Sequence, residues 1–204
     1  MNGHAWAIVP AKSLTRGKSR LSPVLDGDAR ARFARELLEH VLGVLASCDL
    51  AGVLVATDGD DVAELARTRG AAVLLDAGEG TLAEVVDRAL GDVASRGAGA
   101  AVVLMADLPR LEQGDVASLL AALERHDVAL VRDHLGRHTN ALAIAPPTAM
   151  KTRFGRADSF EAHLAAAREA GLRVAVVESE RIAFDVDVPA DHRRVTTSPP
   201  GAGT

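Results

Sequence analysis

Ala101-Val102-Val103-Leu104-Met105-Ala106-Asp107-Leu108-Pro109 is the stretch on which the fold turns. Five apolar residues without alternation, closed by Asp and then Leu-Pro, read as a strand buried on both faces that ends in a carboxylate. Working outward, further apolar runs lie at 5–9, 52–57 and 72–75, each followed by residues of helical period at 28–47, 60–69 and 81–96. Beyond the central strand, the spacing predicts a helix over 113–124, strands at 128–131 and 141–144 flanking a polar loop, a helix over 159–170 and a strand at 173–177. The alternating Ile182-Ala183-Phe184-Asp185-Val186-Asp187, stopped by Pro189, reads as a last strand. Asp60 and Ser159 stand where helices begin and are candidate N-caps, and Thr81 is read as the first residue of its helix. Buried strands alternating with amphipathic helices predict an α/β fold with a mixed, mostly parallel sheet and helices on both faces. The quicker succession of strands late in the chain places the mixed part at a sheet edge.

Composition narrows the function. Over 204 residues, 48% are hydrophobic but only 2% aromatic, with no Tyr, so no surface for stacking single-stranded nucleic acid is expected. The net charge of −5 argues against general polyanion binding. No apolar run reaches the roughly 20 residues of a membrane span, and no secretory signal is visible at the start. The single cysteine, Cys48, has no partner for an internal disulfide and suits a cytoplasmic protein. One domain over 1–195 is expected, with a disordered tail at 196–204, Thr-Thr-Ser-Pro-Pro-Gly-Ala-Gly-Thr.

In such a sheet, ligands sit beyond the carboxyl ends of the parallel strands. The loop after the first strand holds Lys12, Arg16, Lys18 and Arg20 with no acid between them, a local reversal of charge suited to a polyphosphate. Gly17-Lys18-Ser19 is not a P-loop, because Lys12 stands where that motif needs glycine. Asp107 closes the central strand, and Asp185 and Asp187 lie two apart, so they can face one locus. Three such carboxylates suit Mg²⁺, a hard cation often shared with substrate phosphates. Cations, polyphosphate, metal and carboxylates at one sheet edge are the parts of phosphoryl or nucleotidyl transfer. Gly78-Glu79-Gly80-Thr81-Leu82-Ala83 fits a loose dinucleotide fingerprint after the wrong strand, and reads instead as a turn whose amides approach a base or ribose. His134 and His138, with Gly136 between them, make no convincing metal set.

These motifs together resemble a known family. Pro10-Ala11-Lys12 with Gly17-Lys18-Ser19-Arg20-Leu21 is similar to the signature loop of the phospholactate/phosphoenolpyruvate guanylyltransferases of deazaflavin coenzyme F-420 biosynthesis. Asp107-Leu108-Pro109, Thr139-Asn140, Phe154-Gly155 with Ser159-Phe160 and His163, and Asp185-Val186-Asp187-Val188-Pro189 with Asp191 follow in the family's order. The resemblance implies a nucleotidyltransferase fold of the glycosyltransferase-A type. It implies transfer of GMP from GTP to phosphoenolpyruvate or 2-phospho-L-lactate with release of pyrophosphate. Pro10, Lys12, Lys18, Arg20 and Gly80 would then hold the nucleotide. Thr139, Gly155 and Ser159 would hold the acid, and Asp107, Asp185 and Asp187 would hold Mg²⁺. Lys18, Asp107 and Asp187 would carry the catalysis. A downstream transferase would accept the product, and a homodimer stays open.

The chain departs from the family pattern in carrying Arg137 and His138 before Thr139, where a narrower acid site or a contact to a further anionic group is expected. Its Gly80-Thr81-Leu82-Ala83 also stands where the family typically has Gly-Leu-Asn followed by small residues, so that Asn is lost, and there is one extra residue between Gly155 and Ser159. Two other readings stay open. One is a nucleotidyltransferase of the same fold with another base or acceptor, such as 3-phosphoglycerate or a molybdopterin. The other is a nucleotide-binding domain without catalysis.

Overall fold

The computed structural model describes residues 4–75 and 80–196. A seven-stranded sheet forms its centre, in the order β3-β2-β1-β4-β6-β5-β7. The strands are β1 (Ala5–Ala11), β2 (Gly52–Thr57), β3 (Ala72–Leu75), β4 (Ala100–Leu104), β5 (Val128–Arg132), β6 (Thr139–Ile144) and β7 (Val174–Val176). The helices are α1 (Gly27–Ala46), α2 (Asp60–Thr68), α3 (Leu82–Ser95), α4 (Gln113–Ala122), α5 (Ser159–Glu169), α6 (Glu180–Ala183) and α7 (Pro189–Thr196). Every pairing is parallel except the two made by β6, which runs against β4 and β5. The reversed strand therefore lies inside the sheet and not at its edge, as the spacing had suggested; β3 and β7 form the edges.

That reversal positions the site. Ligand edges form where parallel strands end, and β6, running the other way, brings its first residues to that same edge. Leu104, at the end of β4, is opposite Ala141, and the Met105 amide donates to the Asn140 carbonyl at 3.1 Å. Thr139 and Asn140, expected in a polar loop, are thus buried strand residues beside the chain leading to Asp107.

Strand residues alternate between two cores. On one face Ala7, Val9, Val102 and Leu104 pack with Leu38, Val41 and Leu45 of α1, Val62 and Leu65 of α2, and Val116 and Leu119 of α4. On the other face Ile8, Leu54, Val103 and Leu142 pack with Val86, Leu90 and Val93 of α3 and with Phe160, Leu164 and Ala167 of α5. With so few aromatics, close packing of small and branched side chains does the work. Gly52 shows how close: a Cβ there would lie 2.6 Å from the Trp6 ring.

The stretch 182–187 is not a strand. Glu180–Ala183 forms the short α6, capped by the Ser179 hydroxyl accepting from the Ile182 amide at 3.2 Å, and residues 184–188 have no ladder partner. The apolar alternation is real, since Ile182, Phe184 and Val186 are all buried. They are buried because the segment crosses the strand ends, where the Val186 amide donates to the Asp107 carbonyl at 3.3 Å. Pro189 does not merely stop a strand; it opens α7, as its fixed φ allows at a first helical position. The caps differ by one residue at two sites: Gly59 precedes α2 and Asp158 precedes α5, so Asp60 and Ser159 are first helical residues. Thr81, read as a first helical residue, instead caps α3, within a capping box with Glu84. Cys48 lies just past the C-cap of α1, where its thiol donates to the Val44 carbonyl at 3.3 Å. Of the expected tail, Thr196 ends α7 and 197–204 lie outside the described residues, as do Gly78 and Glu79.

Candidate active site

After β1 the chain turns back on itself, with the Arg16 and Gly17 amides donating to the Ser13 carbonyl at 3.0 and 3.1 Å. Two carboxylates around the start of α2 hold this turn. Asp58 accepts from the Ser13 amide at 2.9 Å; Asp61 accepts from the Ser13 hydroxyl at 3.1 Å and the Leu14 amide at 2.9 Å. Gly59 is required between them, since a Cβ there would lie 2.4 Å from Asp61 and 2.6 Å from Ser13. The clamp also captures one of the four loop cations. Arg16 pairs with Asp58 at 2.9 Å, and it does not line the cleft.

The other three do. Lys12, Lys18 and Arg20 line a cleft of about 450 Å³ together with Pro10, Leu82, Asp107 and Asp187. Among the described residues no histidine lines it. Lys18 adopts the left-handed conformation, with φ at 54°, at the entry to a single 3-10 turn. For a non-glycine residue that costs on the order of 1 kcal/mol or more, and such strain gathers at functional sites. Here it aims the ammonium inward, onto Asp107, onto the Val186 carbonyl at 2.6 Å and toward Asp187 at 3.5 Å.

Asp107, Asp185 and Asp187 converge: one oxygen from each lies within 4.8 Å of the others. Burial works against the charge on Lys18, but Asp107, with Asp187 and Asp185 behind it, outweighs that effect and holds the ammonium pKa above the ordinary lysine value. Asp185 is pushed upward, first by burial and then by the charge of Asp107, with a hydrogen bond from Asn140 at 3.1 Å opposing both. Three carboxylates facing one buried ammonium leave negative charge that a cation can balance. Arg20 approaches Asp187 from solvent at 3.3 Å. The backbone bearing Asp187 is itself fixed, because buried Asp191 accepts from the Asp187 and Val188 amides at 3.2 and 3.1 Å.

The residues expected to hold an acid come together at the start of β6 and of α5. The Thr139 amide donates to the Ser159 hydroxyl at 3.0 Å, and the Thr139 hydroxyl lies 2.9 Å from Nδ1 of His163. Thr139 and Ser159 are buried behind the cleft and do not line it. Asn140, bonded to Asp185, links them to the carboxylates. Gly155, with φ at 83°, sits against Leu82 of the cleft wall; a Cβ there would lie 3.2 Å from the Leu82 Cβ. Gly80 also has a positive φ, 115°, at the entry to α3, but does not line the cleft. The His138 ring is turned elsewhere, while the Arg137 carbonyl accepts from the Phe160 amide at 3.1 Å at the start of α5. The Arg137 and His138 amides donate to Asp133 at 2.6 and 2.9 Å, and the His138 ring bonds the same carboxylate at 2.9 Å, with no bond to Thr139 or Ser159.

Asp61 carries no motif signal in the sequence, while Asn140, His163 and Asp191 stand within the family motifs without an assigned role. Asp61 and Asp191 look like ordinary helix-start acids; only the fold shows what their oxygens hold. His163 carried a faint signal, lying one helical turn after Ser159.

This arrangement of cationic turn, carboxylate trio and antiparallel β6 fits a group-transfer enzyme, and sequence comparison agrees. Residues 5–198 match the family described as guanylyl transferase CofC like. The chain belongs to that family. It is 41% identical over 197 residues to the phosphoenolpyruvate guanylyltransferase of Rubrobacter xylanophilus, covering 95% of this chain and 94% of the relative. It is 35% identical over 185 residues to the 2-phospho-L-lactate guanylyltransferase of Methanothermobacter thermautotrophicus, covering 91% and 81%. Among solved structures, a CMP:2-keto-3-deoxy-manno-octonic acid synthetase complexed with CTP superposes with a TM-score of 0.66 at 17% identity, covering 95% of this chain and 97% of that one. The fold of this CofC-like chain is thus the nucleotidyltransferase fold expected from its motifs.

Proposed function

We propose that this chain transfers the guanylyl group of GTP to the phosphate of a phosphorylated three-carbon acid, phosphoenolpyruvate or 2-phospho-L-lactate, in the biosynthesis of a deazaflavin coenzyme. The observation that carries the reading is the convergence of Asp107, Asp185 and Asp187 on Lys18 at the mouth of a cationic cleft. The guanine and the acid rest on the family and on the names of the relatives.

In this reaction an oxygen of the acid's phosphate attacks the α-phosphorus of GTP, the bond to the β-phosphate oxygen breaks, and pyrophosphate leaves. A phosphate monoester with a second pKa near 6 is largely a dianion at neutral pH. The nucleophile therefore needs no general base, in keeping with a cleft that no histidine lines among the described residues. The difficulty is that two anions must meet, and position and charge solve it. Lys12 and Arg20 line the cleft as phosphate partners. Pro10 and Leu82 shape the approach for the nucleoside, and Gly80, outside the cleft lining, is its ligand by motif match alone. Lys18 organises the carboxylates and adds positive charge where it develops negatively. By motif match Thr139 and Ser159, buried and not lining the cleft, would offer hydroxyls to the acid, and Gly155 close backbone.

Asp107, Asp185 and Asp187 supply an all-oxygen donor set that fits Mg²⁺. When bound there, the ion would neutralise charge on the polyphosphate. A small acid anhydride of GMP is a reactive product, and a second transferase that consumes it directly is part of the proposal, as is a cytoplasmic setting.

Pyrophosphate release tests the reading, with GTP, ATP, CTP and UTP each paired with phosphoenolpyruvate, 2-phospholactate and 3-phosphoglycerate. Turnover is expected for GTP with one of the first two acids, and is lost when the divalent cation is chelated. Release with another nucleotide or with 3-phosphoglycerate alone would replace the base or the acceptor. Silence with every pair, beside undiminished GTP binding, would leave a binding domain.

A further inference from the structure

The acid-binding hydroxyls of the proposed reaction are backed by a histidine whose two ring nitrogens are both engaged. His163, on α5, is fully buried. Its Nε2 lies 2.8 Å from the Arg153 backbone amide. That amide can only donate, so Nε2 must be the unprotonated acceptor of the ring. In a neutral imidazole the single proton then sits on Nδ1, 2.9 Å from the Thr139 hydroxyl. Nδ1 is thus the donor and the Thr139 oxygen the acceptor, which releases the hydroxyl's own proton for another partner. Ser159 stands in the same position: its oxygen accepts from the Thr139 amide at 3.0 Å, and its proton remains to be given. Among the described residues neither hydroxyl proton has a protein acceptor.

We infer that His163 is a positioning residue for acceptor binding, its fixed Nδ1–H tautomer turning the Thr139 hydroxyl, with that of Ser159, into a pair of donors for an anionic group of the acid. The inference rests on Thr139 and Ser159 being the acid's ligands. Three features hold the ring. The Arg153 amide bonds one nitrogen, the Phe154 ring packs edge-on at 4.6 Å between centroids, and burial keeps the imidazole neutral, with its pKa lowered to about 4. A charged ring would have to donate from both nitrogens and would push against the Arg153 amide. A neutral one presents two hydroxyl donors without burying a cation.

Two substitutions separate the ring's bonds. In His163→Gln the side-chain oxygen reaches the Nε2 position and can still accept from the Arg153 amide, but the donor at Nδ1 is lost. In His163→Asn the amide nitrogen takes the place of Nδ1 and can still donate to Thr139. The Gln variant is expected to raise KM for the acid by about three- to tenfold, the scale of one lost neutral hydrogen bond, with KM for GTP within about twofold. The Asn variant should recover most of that loss. Equal rises in both KM values, or no recovery in Asn, would make His163 a packing residue and overturn the inference. Thr139→Val tests the underlying reading separately. If it leaves the acid's KM unchanged, the acid site itself is wrong; if it raises that KM while the Gln variant does not, only the role of His163 fails. The tautomer can also be read in the unaltered protein, independent of how the variants fold. Nitrogen-15 spectra of protein labelled at its seven histidines should show, for His163, a protonated Nδ1 and a bare Nε2, and the reverse pattern would sink the proposal.

Discussion

Lys18 is the residue in which the physics of the site is concentrated. It accepts a left-handed backbone that a glycine would adopt freely, and in exchange its ammonium reaches a nest of carboxylates too crowded to be stable alone. Its side chain is about one-tenth exposed, so solvent screens these contacts little. Lys18→Met should lower kcat by about 10²-fold or more, the usual cost of removing one preorganised charge from a transition state. Far-ultraviolet circular dichroism should remain native, and steady-state pyrophosphate release reads the rate. Asp187→Asn should lose activity on a similar scale. A variant of either residue with near-normal turnover would remove it from the catalytic group. That Lys18 and the three aspartates belong together was legible from the sequence, since a basic turn and acids at strand ends meet at one edge of an α/β sheet. That Arg16 does not join them was not legible, because its partner, Asp58, lies 42 residues away and is brought near only by β1 pairing with β2.

At the scale of elements, the turn after β1 works because α2 holds it. Asp61→Ala removes the acceptor for the Ser13 hydroxyl and the Leu14 amide. The expected result is a rise in KM for GTP of several-fold with a smaller change in kcat, and a stability loss of about 1–3 kcal/mol from the orphaned donors. Initial rates at varied GTP and urea unfolding measure the two effects; a loss of stability with no change in KM would separate the clamp from the nucleotide. Packing of β1 on β2 gives a second expectation. Gly52→Ala would drive a methyl into the Trp6 ring, so the indole must shift, at a cost of about 1–3 kcal/mol. As Trp6 is the only tryptophan, its fluorescence should change together with the urea midpoint. The central strand and the helices facing it were legible because their periods are long and regular. The segment 182–187 misled because burial by strand ends gives the same alternation as a ladder, and sequence carries no mark of which carbonyls the amides will find.

For the molecule as a whole, acid stability carries a signature of the buried His163. Its pKa is about 4 in the fold against 6.5 when free, so between those values the unfolded chain takes up a proton that the folded one does not. Stability from this group is fully present above about pH 6.5 and lost as the pH falls toward 4. Between about pH 7 and pH 5 it should cost the fold about 2 kcal/mol. Asp185, raised by burial and by Asp107, has the opposite sign, gaining stability as the pH falls through its folded value. Urea unfolding of the unaltered protein and of His163→Gln at both pH values isolates the histidine, because Gln cannot titrate. The stability gap between the two proteins should shrink by about that amount at the lower pH, and an unchanged gap would contradict a buried neutral ring.

By itself, the sequence determined the alternation of buried strands and amphipathic helices, the cationic turn, the carboxylates and the family they signify. Each of these is written in local period, composition or short motif, and local chemistry does not depend on what lies across the sheet. Tertiary structure decided the rest. The antiparallel run of β6 buried Thr139 and Asn140 beside the carboxylates, with Asn140 bonded to Asp185. Pairing across 42 residues drew Arg16 away from it, and packing of α5 behind β6 gave His163 a fixed proton to lend. These depend on contacts between residues far apart in the chain, set by which strand lies beside which, and strand order is a property of the whole core that no window of sequence contains.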